Sequence, residues 1–406
     1  MTARAAIPAY NLHELRDLAA RRLPRGIFEY IDRGVEDEVA LRENRAAFER
    51  IRLLPRVLVD VAGRSAAGEL FGKPLPMPVA VAPTGSAGLV WYQGELELAR
   101  AAADAGVPFT LASNSMTSME TIVRDAGGTL WFQLNMFADR RISHAMVERV
   151  RDLGFDALML TVDCSVVPNR EYNARNGFTV PFSLSVRSML DMLSHPRWFA
   201  SVMARYLLVS GMPRFENHPP EIRGKITAFP TSRSAARCEN LSWDDVRALR
   251  ELWPRKLILK GILRPDDAAT AVSYGVDGVL VSNHGGRTVD GALAPIEALP
   301  AIVRAIGGKA TVLLDSGIRR GSDVLKALAL GADAVLIGRP TLFGTALAGR
   351  NGAAHALQLL RTEIEREMGL TGCRQLSDFT PDLLASQTTV CPQASATARN
   401  SSRNCR

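Results

Sequence analysis

The chain has 406 residues, 47 % of them hydrophobic, enough to bury one large core or two ordinary ones. Its net charge of +7 is spread thinly, with no basic block interleaved with aromatics, which argues against a nucleic-acid partner. Five cysteines (Cys164, Cys238, Cys373, Cys391, Cys405) are odd in number and lack CxxC spacing, which argues against a disulfide framework or a zinc site and for a reducing compartment.

The N-terminal stretch reads as a short polar arm and then a helix, without the apolar core of a signal peptide. No apolar run reaches the roughly 18 residues a membrane span needs. Residues 1–75 are expected to form a helical segment capping the larger domain. From residue 76 to 385, short apolar strands alternate with amphipathic helices. "PVAVAP" (78–83), "PFTLAS", "LWFQLN" (130–135) and "ALMLTVD" (157–163) come first. "KLILKG" (256–261), "DGVLVSN" (277–283), "TVLLDSG" (311–317) and "ADAVLIGRP" (332–340) come after them. Each is a near-continuous apolar run, as expected of parallel strands covered on both faces. Eight such units over about 280 residues predict an α/β fold of the (β/α)8 TIM-barrel type, with a long insertion after strand 4. An open doubly wound sheet is the weaker alternative, because no strand opens onto a GxGxxG loop.

Barrel enzymes carry their chemistry at the C-terminal ends of the strands. Here those ends hold Pro83, Thr84 and Gly85; Ser113; Gln133 and Asn135; Thr161 and Asp163; Lys260; Ser282 and His284; Asp315 and Gly317; Gly338 and Arg339. A scaffold barrel has no reason to gather Asp163, Lys260, His284 and Asp315 on one rim. His284 can serve as a base near neutral pH, and Asp163 can orient it. Arg287 offers a planar fork suited to a carboxylate. A base beside a carboxylate clamp suggests proton removal from a 2-hydroxy acid. Lys260 is suited to stabilising negative charge on a cofactor, with Schiff-base chemistry the rival use. Gly317, Gly321, Gly338, Arg319 and Arg339, after the last two strands, suggest a phosphate site.

The insertion, about 170–240, interrupts the fourth unit. Within it, residues 182–215 combine Met, Leu, Phe and Trp with four arginines (Arg187, Arg197, Arg205, Arg214) against one acid, Asp191. Such a segment is expected to lie on a membrane surface, or else to act as a lid or an oligomer contact. The tail, 386–406, is small, polar and basic and is expected to be disordered.

In order and spacing, "WFQL", "LTVD", "KGIL", "SNHGGR" and "LDSGIRRGSD" resemble the FMN-dependent 2-hydroxy acid dehydrogenase and oxidase family, from about Leu12 to Leu384. "HPRW", "ELWPRKL" and "KALALGADAVLIGR" resemble its (S)-mandelate dehydrogenase branch, with the L-lactate dehydrogenases next. The resemblance implies FMN as cofactor and no metal. It implies His284 as base paired with Asp163, and Arg170, Arg287 and the Tyr30 hydroxyl on the substrate carboxylate. Lys260 would lie by the flavin N1–O2 edge, and Pro83, Thr84 and Gly85 would line the ring. Gln133, Thr161 and Ser282 would hydrogen-bond the flavin, Asp315 would hold the ribityl chain, and Gly317, Arg319, Gly338 and Arg339 the phosphate. It also implies a tetramer, a cytoplasmic protein lying peripherally on the inner face of the membrane, and a quinone as acceptor. Gly85, where the family often has Ala, leans toward a dehydrogenase rather than an oxidase using O2.

Three positions depart from the family pattern. Asn135 stands where a Tyr usually touches the substrate, which enlarges the pocket and raises the alternative of a flavin-binding barrel with altered or lost chemistry. A non-redox FMN barrel fits two substrate arginines less well. Ala112 replaces a usual Ser, with Ser113 next, so one flavin contact is expected to shift. Thr288 and Val289 replace the usual pair after Arg287, where a change in loop packing alone is expected.

Overall fold

The computed structural model describes residues 7–178, 185–219, 223–224 and 238–385. Three helices lead the chain: α1 (Leu12–Arg22), α2 (Arg25–Asp32) and α3 (Val39–Arg50). Asn11 caps α1, its side chain accepting from the N–H groups of His13 and Glu14 at 3.0 Å. A small antiparallel hairpin comes next, β1 (Gly68–Leu70) and β2 (Lys73–Leu75).

The expected apolar runs become eight parallel strands: β3 (Val79–Val81), β4 (Phe109–Ala112), β5 (Leu130–Leu134), β6 (Ala157–Thr161), β7 (Lys256–Ile262), β8 (Gly278–Val281), β9 (Thr311–Leu314) and β10 (Ala334–Ile337). They pair in chain order, and β10 closes on β3 through Val335–Val79 and Ile337–Val81. The fold is therefore a TIM barrel. Every residue of β3, β4, β5, β6, β8 and β10 is buried, which explains why these strands read as unbroken apolar runs. Proline at the first helical turn starts the helices Pro265–Ser273 and Pro295–Ile306, where its missing N–H costs nothing.

The hairpin was not expected from sequence. Its tip, Phe71, lies edge-on to Trp131 at 5.7 Å and comes within 3.0 Å of where a Cβ of Gly278 would be. It closes the N-terminal end of the barrel. A cavity of about 470 Å³ lies beside it, but its Lys73, Arg250 and Lys256 are each paired with Asp156 or Asp277, and it is at the end opposite the polar strand ends.

The insertion folds back onto the barrel. Trp198, in "HPRW", is fully buried, and its indole N–H donates to the Leu89 carbonyl at 2.8 Å. Tyr206 is buried against Tyr92, with ring centroids 4.8 Å apart. Asn217 and His218 are buried too; Asn217 accepts from the Met119 N–H at 2.8 Å, and His218 Nε2 meets Asn114 Oδ1 at 3.0 Å. Among its described residues, apolar side chains face solvent on two helices: Val186, Met189, Leu190 and Leu193 on one, Leu207, Leu208 and Val209 on the other. The expectation of an exposed Trp-bearing segment is corrected here, because Trp198 fills core. The side chain of Arg187 and the tail 386–406 lie outside the described residues.

Candidate active site

The strand ends converge at the C-terminal mouth of the barrel. β7 has an irregular register between Lys260 and Ile262. Gly261 at this break has φ +109°, and a Cβ there would stand 2.5 Å from the Asp163 Cβ. Glycine thus lets the end of β6 approach Lys260 closely.

After β8 the chain turns sharply. His284 itself is left-handed, φ +59°, a conformation a side chain adopts at a cost and one that recurs at functional sites. Its N–H donates to Ser282 Oγ at 3.0 Å, and the Gly285 N–H donates to Ser316 Oγ at 2.9 Å. Asn283 exchanges side-chain hydrogen bonds with Asn44 of α3 at 2.7 and 2.9 Å. The strained turn is therefore held from two sides.

This turn presents the imidazole to Asp163. His284 Nδ1 stands 3.0 Å from Asp163 Oδ1, and 28 % of the histidine side chain stays exposed. Lys260 Nζ lies 3.4 Å from the same nitrogen and donates to Ser282 Oγ at 3.1 Å. Because the ammonium can only donate, the Nδ1 proton is assigned to the closer carboxylate, which leaves Nε2 with its lone pair. Lys260 Nζ is also 4.0 Å from Asp163 and 3.9 Å from Asp315. Burial pushes the Asp163 carboxyl up, but Lys260 and His284 outweigh it and hold it at about 2. Burial, then the Lys260 charge, pulls His284 below its ordinary value; Asp163 opposes them.

Across the mouth sit Arg170 and Arg287. Neither they nor Arg319 and Arg339 form an ion pair with a carboxylate among the described residues. Burial and then Arg287 lower Arg170 to about 10; burial and then Arg45 lower Arg319, and burial and then Arg319 lower Arg339, each to about 10. Arg170 Nε is buried without a hydrogen-bond partner. Arg287 donates to the Arg33 carbonyl at 2.8 Å and lies 5.5 Å over the Tyr30 ring. Arg339 donates to the carbonyls of Ile31 and Arg33. Buried guanidinium groups spending donors on carbonyls, or on nothing, are a site built for anions.

Gln133 and Asn135 form one polar chain. Gln133 Nε2 donates to Thr161 Oγ1 at 2.8 Å and to Asn135 Oδ1 at 3.0 Å; Asn135 Nδ2 donates to Ser113 Oγ at 3.2 Å. Pro83, Thr84 and Gly85 come directly after β3 on the same rim, with Thr84 3.3 Å from where a Cβ of Gly338 would be. Asp315 accepts from Ser316 Oγ at 2.7 Å.

One glycine role needs correction. Gly321 does not free an N–H for an anion: it donates to Glu363 at 2.8 Å, and a Cβ would stand 2.5 Å from the backbone of the helix Arg350–Leu370. Gly286 makes room for the backbone of Leu41 in α3. Gly317 likewise packs closely on Asn44.

Residues 19–386 match the family described as FMN-dependent dehydrogenase. The chain belongs to the FMN-dependent dehydrogenase family. It is 40 % identical to the (S)-mandelate dehydrogenase of Pseudomonas putida over 93 % of this chain and 94 % of that one. It is 43 % identical to an L-lactate oxidase of Nostoc sp., over 92 % and 97 %. Its fold matches the crystal structure of the monotopic membrane protein (S)-mandelate dehydrogenase with a TM-score of 0.87 and 40 % identity, covering 93 % of this chain and all of that one. This dehydrogenase thus uses FMN on a 2-hydroxy acid, and the anion-seeking arginines, buried Lys260 and polar strand ends fit such a cofactor.

Sequence reasoning missed Asn44, whose side chain holds Asn283, because the two lie far apart in the chain.

Proposed function

We propose that this enzyme oxidises an (S)-2-hydroxy acid of the mandelate or lactate type to the 2-oxo acid and passes the electrons to a membrane quinone. The observation that carries this reading is His284, anchored to Asp163 through Nδ1 and facing two buried arginines that no carboxylate among the described residues neutralises. In this reading Arg170 and Arg287, with the Tyr30 hydroxyl, grip the carboxylate. His284 Nε2 takes the substrate proton, and Asp163 stabilises the imidazolium. FMN supplies the two-electron acceptor. Pro83, Thr84, Gly85, Ser113, Gln133, Thr161 and Ser282 would hold its ring, Lys260 its electron-rich edge, Asp315 its ribityl chain, and Gly317, Arg319, Gly338 and Arg339 its phosphate.

Membrane docking is supported by the stripe Val186, Met189, Leu190 and Leu193, spaced along one helix face, and by Leu208, which is 86 % exposed. Arg197 and Arg205 lie near these residues in the chain. Among the described residues no helix is long and apolar enough to cross a membrane, so the attachment proposed is peripheral, on the inner face. A second exposed apolar loop, Leu54, Val57 and Leu58, supports self-association, with a tetramer as the proposed assembly.

Two rival readings have specific support. The 43 % identity to an oxidase supports O2 as acceptor. Asn135, committed to Gln133 and Ser113, supports altered substrate choice. Turnover of (S)- and (R)-mandelate and lactate, with a soluble quinone or with O2, tests these together. Quinone reduction by the (S)-acids with little peroxide is expected; rapid peroxide formation would identify an oxidase.

A further inference from the structure

Tyr172 lies on the short helix Glu171–Arg175, only 4 % exposed, and its buried hydroxyl has no hydrogen-bond acceptor; the Arg287 guanidinium, a donor only, meets its oxygen. Burying an unmade phenol hydrogen bond is costly, and phenylalanine would fill the same space without that cost. The surroundings explain why no acceptor exists. The Arg33 guanidinium stacks on the ring at 5.3 Å, and Arg170, Arg287 and Arg339 all face the phenol. Guanidinium groups only donate, so none can accept the phenol proton. They can, however, donate to its oxygen and leave the O–H free. What is missing is an acceptor, and the acceptor that suits a hydroxyl faced by Arg170 and Arg287, neither of them ion-paired among the described residues, is an anion.

We propose that Tyr172 is a substrate-recognition residue of this site, its hydroxyl donating to the carboxylate that Arg170 and Arg287 hold. The inference rests on the 2-hydroxy acid reading of the site. It assigns the phenol a place no motif marked. It also divides labour with Asn135, whose amide is spent on Gln133 and Ser113 within the barrel.

The test is Tyr172→Phe in the FMN-loaded enzyme, with two non-oxidisable carboxylates as probes, phenylacetate and propionate, followed by calorimetry. A hydrogen bond to a charged group predicts about ten- to a hundredfold weaker binding of whichever probe the wild type prefers. KM for the oxidised acid should rise in parallel while kcat changes by less than about threefold. Thermal stability separates this role from a structural one. Removing an unsatisfied hydroxyl should leave the unliganded Tm unchanged or higher, and the rise on adding probe should shrink. Equal probe affinity and equal KM in the two proteins would overturn the inference, as would a lower unliganded Tm with unchanged binding. If the wild type binds neither probe and no 2-hydroxy acid reduces its flavin, the functional reading itself fails, a result distinct from a wild type that binds and a variant that binds equally well.

Discussion

His284 Nδ1 and Asp163 Oδ1 meet at 3.0 Å, joining the turn after β8 to the end of β6 two strands away. The contact fixes which ring nitrogen carries the proton and which one is free to act. Asp163→Asn keeps the shape but offers an amide where an acceptor is needed. Single-turnover flavin reduction should slow by about two to four orders of magnitude, as expected when a base loses its orienting carboxylate. A loss below about threefold would show that the pair is not the working base.

The pH profile is set by the same cluster. His284 must be neutral to accept a proton, and burial together with Lys260 holds its pKa below the ordinary value. Activity, kcat/KM, should therefore stay full down to a pH below that of a free histidine and fall only there. Lys260→Met removes one of the causes that lowers the pKa, so the acid limb should move to higher pH. A limb that stays put or moves down would contradict the assignment.

Arg319 and Arg339 are buried and form no ion pair with a carboxylate among the described residues. If they hold a phosphate, replacing either with Ala should weaken FMN binding by about ten- to a hundredfold. Riboflavin, which lacks the phosphate, should bind variant and wild type alike. Equal losses for both ligands would point to general damage of the site.

The insertion makes a separate prediction. Trp198, Val202 and Tyr206 anchor it to the barrel, while Leu190 and Leu208 face solvent. Leu190→Glu with Leu208→Glu should leave flavin content and Tm unchanged and cut sedimentation with anionic vesicles at least tenfold, since both apolar burial and charge are reversed. A wild type that never sediments would end the membrane reading.

Much of this was legible in the sequence because a barrel writes itself twice, as buried apolar strands and as polar residues at their ends. Asp163, Lys260, Ser282, His284 and Asp315 all fell on strand ends, and the structure gathers them within hydrogen-bonding or ion-pairing reach of one another. The hairpin Gly68–Leu75 escaped notice because three-residue strands with Pro74 inside give no period to read. Gly321 was misread because a glycine made for close approach looks the same whether the neighbour is a ligand or a helix more than 40 residues away in the chain. Trp198 was read as interfacial because burial by a distant loop leaves no local trace. Tyr172 sits between Glu171 and Asn173, and only its surroundings in space mark it out.

The most direct test of the central claim is anaerobic titration of the FMN-loaded enzyme with (S)- and (R)-mandelate and lactate, watching the flavin absorbance. The (S)-isomer of at least one acid should bleach the flavin fully and the (R)-isomer should not, and His284→Asn should slow the bleaching by about two to four orders of magnitude. A flavin unmoved by every acid, or bleached equally fast without His284, would contradict the assignment of His284 as the base of a 2-hydroxy acid dehydrogenase.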